Sequence, residues 1–335
     1  QMKKRYLSLL DEIKNNPAKP LELNDHVLVI DGLNNFIRCF SAIPMMSDNG
    51  YHVGGLIGFL RSLGYLIKLI RPTRILIVFD GKGGSQKRKK LFPEYKAGRS
   101  FKSKLNRKVE FSKEGDERTS MVQQMSRLME YLDCLPLQTF SLDNMEADDV
   151  ISYVANKGNF SRCTIMSTDK DFLQLVGDRI NVYSPSKKKL YNTETLMEEY
   201  NIHPENFLMY RMVDGDKSDN IDGVRGIALK TLLKICPEMS TEPVALKELV
   251  SRDNRLENNL DILKRNFELM QLSDIIISGN AKQKILDFVE QKPNSLNSFK
   301  FRQMYLEDGF SNEIQNLEVW LRESWSTLDT LTRNG

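Results

Sequence analysis

The sequence predicts an α/β fold: a mainly parallel central sheet with helices on both faces. Two observations carry this. Three short apolar runs, rich in β-branched residues, each end in an aspartate, as buried parallel strands do. Between and after them lie stretches whose apolar residues recur at helical spacing.

In chain order, His26-Val-Leu-Val-Ile-Asp31 is the first strand. An apolar helix follows over 54–70, and Pro72 prevents it from continuing. Arg74-Ile-Leu-Ile-Val-Phe-Asp80 is the second strand. Residues 119–132 place Met121, Val122, Met125, Leu128, Met129 and Leu132 at helical spacing, a stripe that reads as core packing. Residues 135–140 form a further strand, and Met145-Glu-Ala-Asp-Asp-Val150 opens a helix to about Asn156. Cys163-Thr-Ile-Met-Ser-Thr-Asp169 repeats the strand-to-aspartate pattern, and 179–183 is one more strand.

The 335 residues suffice for one large or two smaller domains, and 40% hydrophobic with 28% charged residues describes an ordinary globular chain. No uncharged apolar run approaches a membrane span, so no membrane partner is expected. The opening residues lack the order of a signal peptide, and reduced thiols fit a cytoplasmic protein. Cys39, Cys134, Cys163 and Cys236 are scattered, so they read as buried reduced thiols rather than a zinc site. His26, His52 and His203 are isolated and read as structural. The net charge of +3 hides a polarised molecule, because residues 82–118 carry 13 Lys and Arg against five acids. Such a block suits a polyanion, although a solvated loop explains it as well when taken alone.

Carboxylates concentrate where ligands bind in such sheets, outside the carboxyl ends of the strands. Asp31, Asp80 and Asp169 lie at three strand ends, and Asp171 follows closely. Glu146, Asp148 and Asp149 open a helix, and Asp216 and Asp219 lie three apart in Asp214-Gly-Asp-Lys-Ser-Asp-Asn-Ile221. A lone aspartate after a strand is a turn or cap residue, and acids in a first helical turn suit the helix dipole. Nine acids in this arrangement exceed that explanation. They repel one another unless a hard cation such as Mg²⁺ accepts their oxygens, and no His or Cys accompanies them.

Six stretches together resemble the flap endonuclease/5′-nuclease family, bacteriophage enzymes and the nuclease domain of bacterial DNA polymerase I in particular. They are Val29-Ile-Asp-Gly32, Val78-Phe-Asp-Gly81, Pro93-Glu-Tyr-Lys-Ala-Gly-Arg99, Glu146-Ala-Asp-Asp149, Ser167-Thr-Asp-Lys-Asp171 and Gly215-Asp-Lys-Ser-Asp-Asn220. The resemblance covers about residues 25–275, and weakly 299–314, and implies a PIN-like core. By matching position it assigns Asp31, Asp80, Glu146, Asp148, Asp149, Asp169, Asp171, Asp216 and Asp219 to a site for two Mg²⁺ ions, for which Mn²⁺ substitutes. It implies that 82–118 is a helical arch, with Lys96 and Arg99 as catalytic cations and Lys87, Arg88, Lys89 and Tyr95 meeting nucleic acid. Tyr95 is equally suited to core packing. Residues 215–236 resemble a helix–three-turn–helix, a helix starting near Ile227. There Gly223, Gly226, Lys230 and Lys234 would grip the duplex backbone, and a K⁺ ion often bridges to phosphate. Ala228 departs from the family's usual glycine.

The organisation expected is an extension over 1–24, a nuclease core over 25–200, a helical duplex-binding region over 201–290 and a C-terminal helical segment over 291–335. No polymerase region follows, so a free-standing, monomeric nuclease is expected. Its substrates would be DNA with 5′ ends or flaps, or RNA–DNA hybrids, in primer removal or repair. Trp320 and Trp325 either dock a replication protein or pack, and Phe36 or Phe40 could stack on a terminal base. Two other classes compete: a non-catalytic junction-binding protein on the same scaffold, and a small-molecule phosphohydrolase using an aspartate nucleophile.

Overall fold

The computed structural model describes residues 19–97, 104–112 and 116–334. Its six-stranded sheet has the order β3-β2-β1-β4-β5-β6, where β1 is His26–Asp31, β2 Arg74–Asp80, β3 Gln138–Leu142, β4 Arg162–Met166, β5 Ile180–Ser184 and β6 Lys189–Tyr191. The first five strands run parallel, and β6 pairs antiparallel to β5 as an edge. The chain builds outward from β1 through β2 to β3, then returns to the other side of β1 as β4. The reversal opens a crevice at the carboxyl ends of β1 and β4, the usual ligand position in such sheets.

Alternation along the strands assigns each residue to one face. Leu28 and Ile30 of β1 and Ile75 and Ile77 of β2 pack under α1 (Gly32–Ala42), α2 (Gly54–Ile70) and α4 (Asp116–Leu132). Val27, Val29, Leu76 and Val78 face the other way, against Val150, Ile151 and Val154 of α5 (Ala147–Lys157). Between them on the chain, α3 (Gln86–Leu91) is a six-residue basic turn of helix. The α2 helix ends at Arg71, whose left-handed backbone and N–H bond to Ile67 close the last turn before Pro72. Strand β3 begins three residues later than the sequence suggests, because Leu135 and Leu137 are buried in a turn that precedes it.

The downstream helices include α6 (Thr193–Tyr200), α7 (Phe207–Asp214), α8 (Leu229–Ile235), α9 (Leu260–Met270) and α10 (Gly279–Glu290). They join the same apolar core as α5, through Leu196, Phe207, Leu232, Leu263 and Ile285. The C-terminal helices α11 (Ser298–Glu307) and α12 (Trp325–Asn334) return to the opposite face, under α2. Trp325 is fully buried there, and the half-buried Trp320 packs tilted against Phe301 and edge-on to Trp325. Phe36 and Phe40 are likewise inaccessible core residues, which rules out their stacking on a base in this conformation. The four cysteines are buried free thiols, as expected. His26 and His52 are buried and hydrogen-bonded, and His203 caps a short 3-10 turn. Among the described residues, no helix is long and apolar enough to cross a membrane.

Candidate metal and nucleic-acid site

At the sheet's carboxyl edge, backbone turns fix the acids one by one. Asp31 caps α1, accepting from the Asn34 N–H, and its other oxygen takes the Ser167 hydroxyl at 3.0 Å. Asp80, ending β2, accepts the Ala147 N–H at 2.7 Å and so pins the start of α5, where Glu146, Asp148 and Asp149 sit. Asp169 caps the 3-10 turn Lys170–Leu175 and accepts the Asp171 N–H at 2.8 Å. Asn34 and Thr168 bond each other across the β1–β4 crevice, holding the two loops in register.

Burial and mutual repulsion raise several of these carboxyls. Burial pushes Asp31 up to about 6, helped by Asp80 and opposed by the Asn34 and Ser167 donors. Burial and Asp171 push Asp169 up to about 7. Asp148 is raised well above the usual range by burial, then by Asp169 and Asp31. Among the described residues, no Lys or Arg forms an ion pair with Asp31, Asp148 or Asp169.

The neighbouring acids have built-in cations. Arg88, on α3, lies in the cleft, paired with Glu146 and with Asp149 at 2.7 Å, while its Nε donates to Leu269 O at 2.9 Å. Lys96 Nζ reaches Glu146 at 2.5 Å. Burial alone raises the Glu146 carboxyl, but Arg88 and Lys96 reverse the shift and hold it below its usual value. Arg211 of α7 is buried and joins Asp171 at 2.7 Å to Asp216 at 2.9 Å.

Among the described residues, no three His, Cys, Asp or Glu side chains are grouped so that they could hold a metal ion as they stand. The chemistry of the donors nonetheless fits a hard divalent cation: oxygen only, partly desolvated, and with Asp31, Asp148 and Asp169 short of positive charge.

Several placements differ from those the sequence suggests. Arg88 is turned toward the acids, where two buried carboxylates within reach take its guanidinium in the free protein. Tyr95 is 3% exposed, packed with Ile221, Leu269 and Met270, its hydroxyl beside Glu146. Lys87 is exposed but bonds Ile276 O, and Lys89 is exposed. Within 82–118, the described residues preceding α4 contain one helix, α3; residues 104–112 are irregular, anchored by Asn106 to the Phe40 and Ile43 carbonyls. Arg99 lies outside the described residues.

Farther along, α7 is followed by the short hairpin Gly215–Asp216 and Ile221–Asp222, and then by α8. Asp219 is buried beside the Lys96 turn, its carbonyl accepting the Lys96 N–H. Helix α8 begins at Leu229, two residues after the expected start, with Ala228 as an N-cap that makes no side-chain bond. Gly226 has φ +79°, which favours glycine. At Gly223 a Cβ would stand 2.3 Å from Val213 O, so the close approach it permits is to the end of α7. Lys230 and Lys234 are exposed, four apart on one face of α8.

Sequence reasoning missed Arg211 as a member of the site. Its only local signal is Asp214 three residues on; its main partner, Asp171, is 40 residues away.

Residues 26–201 match the family described as 5′-3′ exonuclease, N-terminal resolvase-like domain. A 5′-3′ exonuclease of Aquifex aeolicus is 30% identical over 253 residues, covering 75% of this chain and 78% of that protein. One from Buchnera aphidicola is 29% identical over 315 residues, covering 88% of this chain and 99% of that protein. DNA polymerase I of Bacillus caldotenax is 28% identical over 78% of this chain, which spans only 30% of the polymerase. Among solved structures, a bacteriophage T5 5′-exonuclease with bound zinc superimposes with a TM-score of 0.57 at 21% identity, over 84% of this chain and 98% of that one. A T5 flap endonuclease with DNA and metal ions gives 0.57 at 21%, over 85% of this chain and 99% of that one. At such identities the two structures speak to the fold alone.

Proposed function

From the premise that this chain belongs to the 5′-3′ exonuclease family, we propose that it hydrolyses phosphodiesters near the 5′ end or flap of DNA, with Mg²⁺ as its ion. The observation that carries the reading is the single sheet edge where Asp31, Asp80, Asp148 and Asp169 converge beside Lys96. Two divalent ions, when bound, supply positive charge that lowers the barrier to in-line attack by water. Asp31, Asp80, Glu146, Asp148, Asp149, Asp169, Asp171 and Asp219 would hold them, with Asp216 farther out behind Arg211.

The protein's own groups do the rest. Lys96 stays an ammonium: burial lowers its pKa, but Tyr95, Glu146 and Asp148 more than reverse that. It stands ready to offset charge growing on a scissile phosphate. Lys230, Lys234 and the turn at Gly223 and Gly226 would hold duplex by its backbone, without reading sequence and with K⁺ as a candidate bridge. The protein would act as a monomer in the cytoplasm, accepting RNA–DNA hybrids in primer removal.

The test is a 5′-labelled flap duplex incubated with Mg²⁺ or with chelator. Mg²⁺-dependent release of short labelled products, abolished when Asp169→Asn is combined with Asp171→Asn, is the expected outcome. Tight binding with no cleavage by the wild-type protein would overturn the reading in favour of a junction-binding protein.

A further inference from the structure

Lys96 reaches the acids from an unusual backbone. Its φ is +53°, a left-handed conformation that non-glycine residues seldom adopt without support. The support comes from a segment more than 120 residues away. The Lys96 N–H donates to Asp219 O at 3.0 Å. The Asn220 side-chain amide donates to Glu94 O at 3.1 Å and to Ala97 O at 2.5 Å, spanning the Lys96 turn. Asn220 is itself left-handed, with φ +60°. Tyr95 and Phe92 pack beneath, against Ile221, Leu269 and Met270.

We propose that Asn220 is a positioning residue: its amide clamps the Glu94–Ala97 turn and thereby sets the Lys96 ammonium among the acids. The proposal rests on the nuclease reading for its catalytic consequence, but the clamp itself is a property of the free protein. Among the described residues, the Asn220 side chain bonds the Glu94 and Ala97 carbonyls and no acid of the cleft, so its effect should pass through Lys96.

A double-mutant cycle on flap cleavage tests this. Asn220→Gly is the informative variant, because glycine accepts φ +60° and only the amide is lost. It should lower the single-turnover rate by up to about 10²-fold, the size of effect expected when a catalytic group shifts by about 1 Å. Duplex affinity should stay near wild type. In the Lys96→Ala background the same change should cost less than about twofold more. An undiminished loss in that background, wild-type rates for Asn220→Gly, or wild-type rates for Lys96→Ala each overturns the proposal.

The second readout needs no cleavage activity. Trypsin should cut after Lys96 faster in Asn220→Gly than in the wild type, with thermal melting confirming that both are folded. Unchanged scission overturns the clamp. If wild-type protein fails to cut any flap while scission still accelerates, the clamp stands and the nuclease reading falls. Should Asn220→Gly not fold, Asn220→Asp keeps the shape, removes both donors and carries the same expectations.

Discussion

The acids at the sheet edge divide into two groups that look alike in the sequence. Glu146, Asp149, Asp171 and Asp216 are matched by cations of the chain itself, Arg88, Lys96 and Arg211. Asp31, Asp148 and Asp169 share that edge with raised pKa values and, among the described residues, no such match. The contrast teaches that one cluster serves two purposes. Matched acids hold other elements: Arg88 brings α3 and the Leu269 carbonyl to α5, and Arg211 ties the 3-10 turn after β4 to the hairpin after α7. Unmatched acids are costly to the protein alone and call most strongly for an external cation, which the matched acids beside them would help to hold.

That division can be broken from either side. The largest expected effect is on catalysis: Asp148→Asn should lower flap cleavage by about 10³-fold, measured under single-turnover conditions with saturating Mg²⁺. Equal rates would place Asp148 outside the working set. Next in size is the stability of the matched group. Arg88→Met leaves Glu146 and Asp149 buried without their partner, and breaking such a pair costs about 3 kcal/mol, read by urea denaturation. A neutral result would mean that Lys96 alone suffices.

The unmatched group should behave in the opposite way. Asp169 has its pKa raised from 3.8 to about 7 in the fold, so the folded state holds its proton more tightly than the unfolded chain does. Stability from that proton is complete below pH 4 and is lost as pH rises through 7. In chelator at pH 8, Asp169→Asn should therefore stabilise the protein; discounting for partial exposure, the gain is about 2 kcal/mol and should vanish near pH 4. A destabilised variant at pH 8 would show that the unmatched charge is not the cost inferred here. The smallest effect is on ion binding. With Asp31 at about 6 and Asp169 at about 7, a divalent ion must displace protons, so affinity should rise between pH 6 and 7.5. Calorimetry in buffers of different ionisation enthalpy should show proton release, with roughly a tenfold rise in affinity per pH unit for each proton displaced.

The strands β1 and β2 were legible because uninterrupted apolar runs have one stable environment, the interior of a parallel sheet. Helix α2 was legible to the residue, bounded by Gly54 and the Arg71–Pro72 exit. The carboxylates were legible because strand ends and a helix start place them by local rules. Their counter-ions were not. Arg88 reads as one more cation in a basic stretch, and only tertiary packing turns it toward residues 58 and 61 positions away. The basic stretch was expected to be helical from resemblance, and Asn106, held in the core, shows how tertiary anchoring keeps part of it irregular. Likewise Phe36 and Phe40 have the same chemistry whether they face a base or a core, and only burial separates the cases.

The return of α11 and α12 to the sheet bears on how the protein is made. The face formed by Leu28, Ile30, Ile75 and Ile77 with α2 shares one core with Phe301, Trp325 and Leu328, more than two hundred residues later. During synthesis that core, covered in part by α1, α2 and α4, must stay incomplete until the distant helices have emerged. Contacts this far apart in the chain form late and leave intermediates open to aggregation. A ribosome stalled before Trp325 would hold a nascent chain with its sheet paired and one side still sticky, and that interval is where a holding chaperone would be needed.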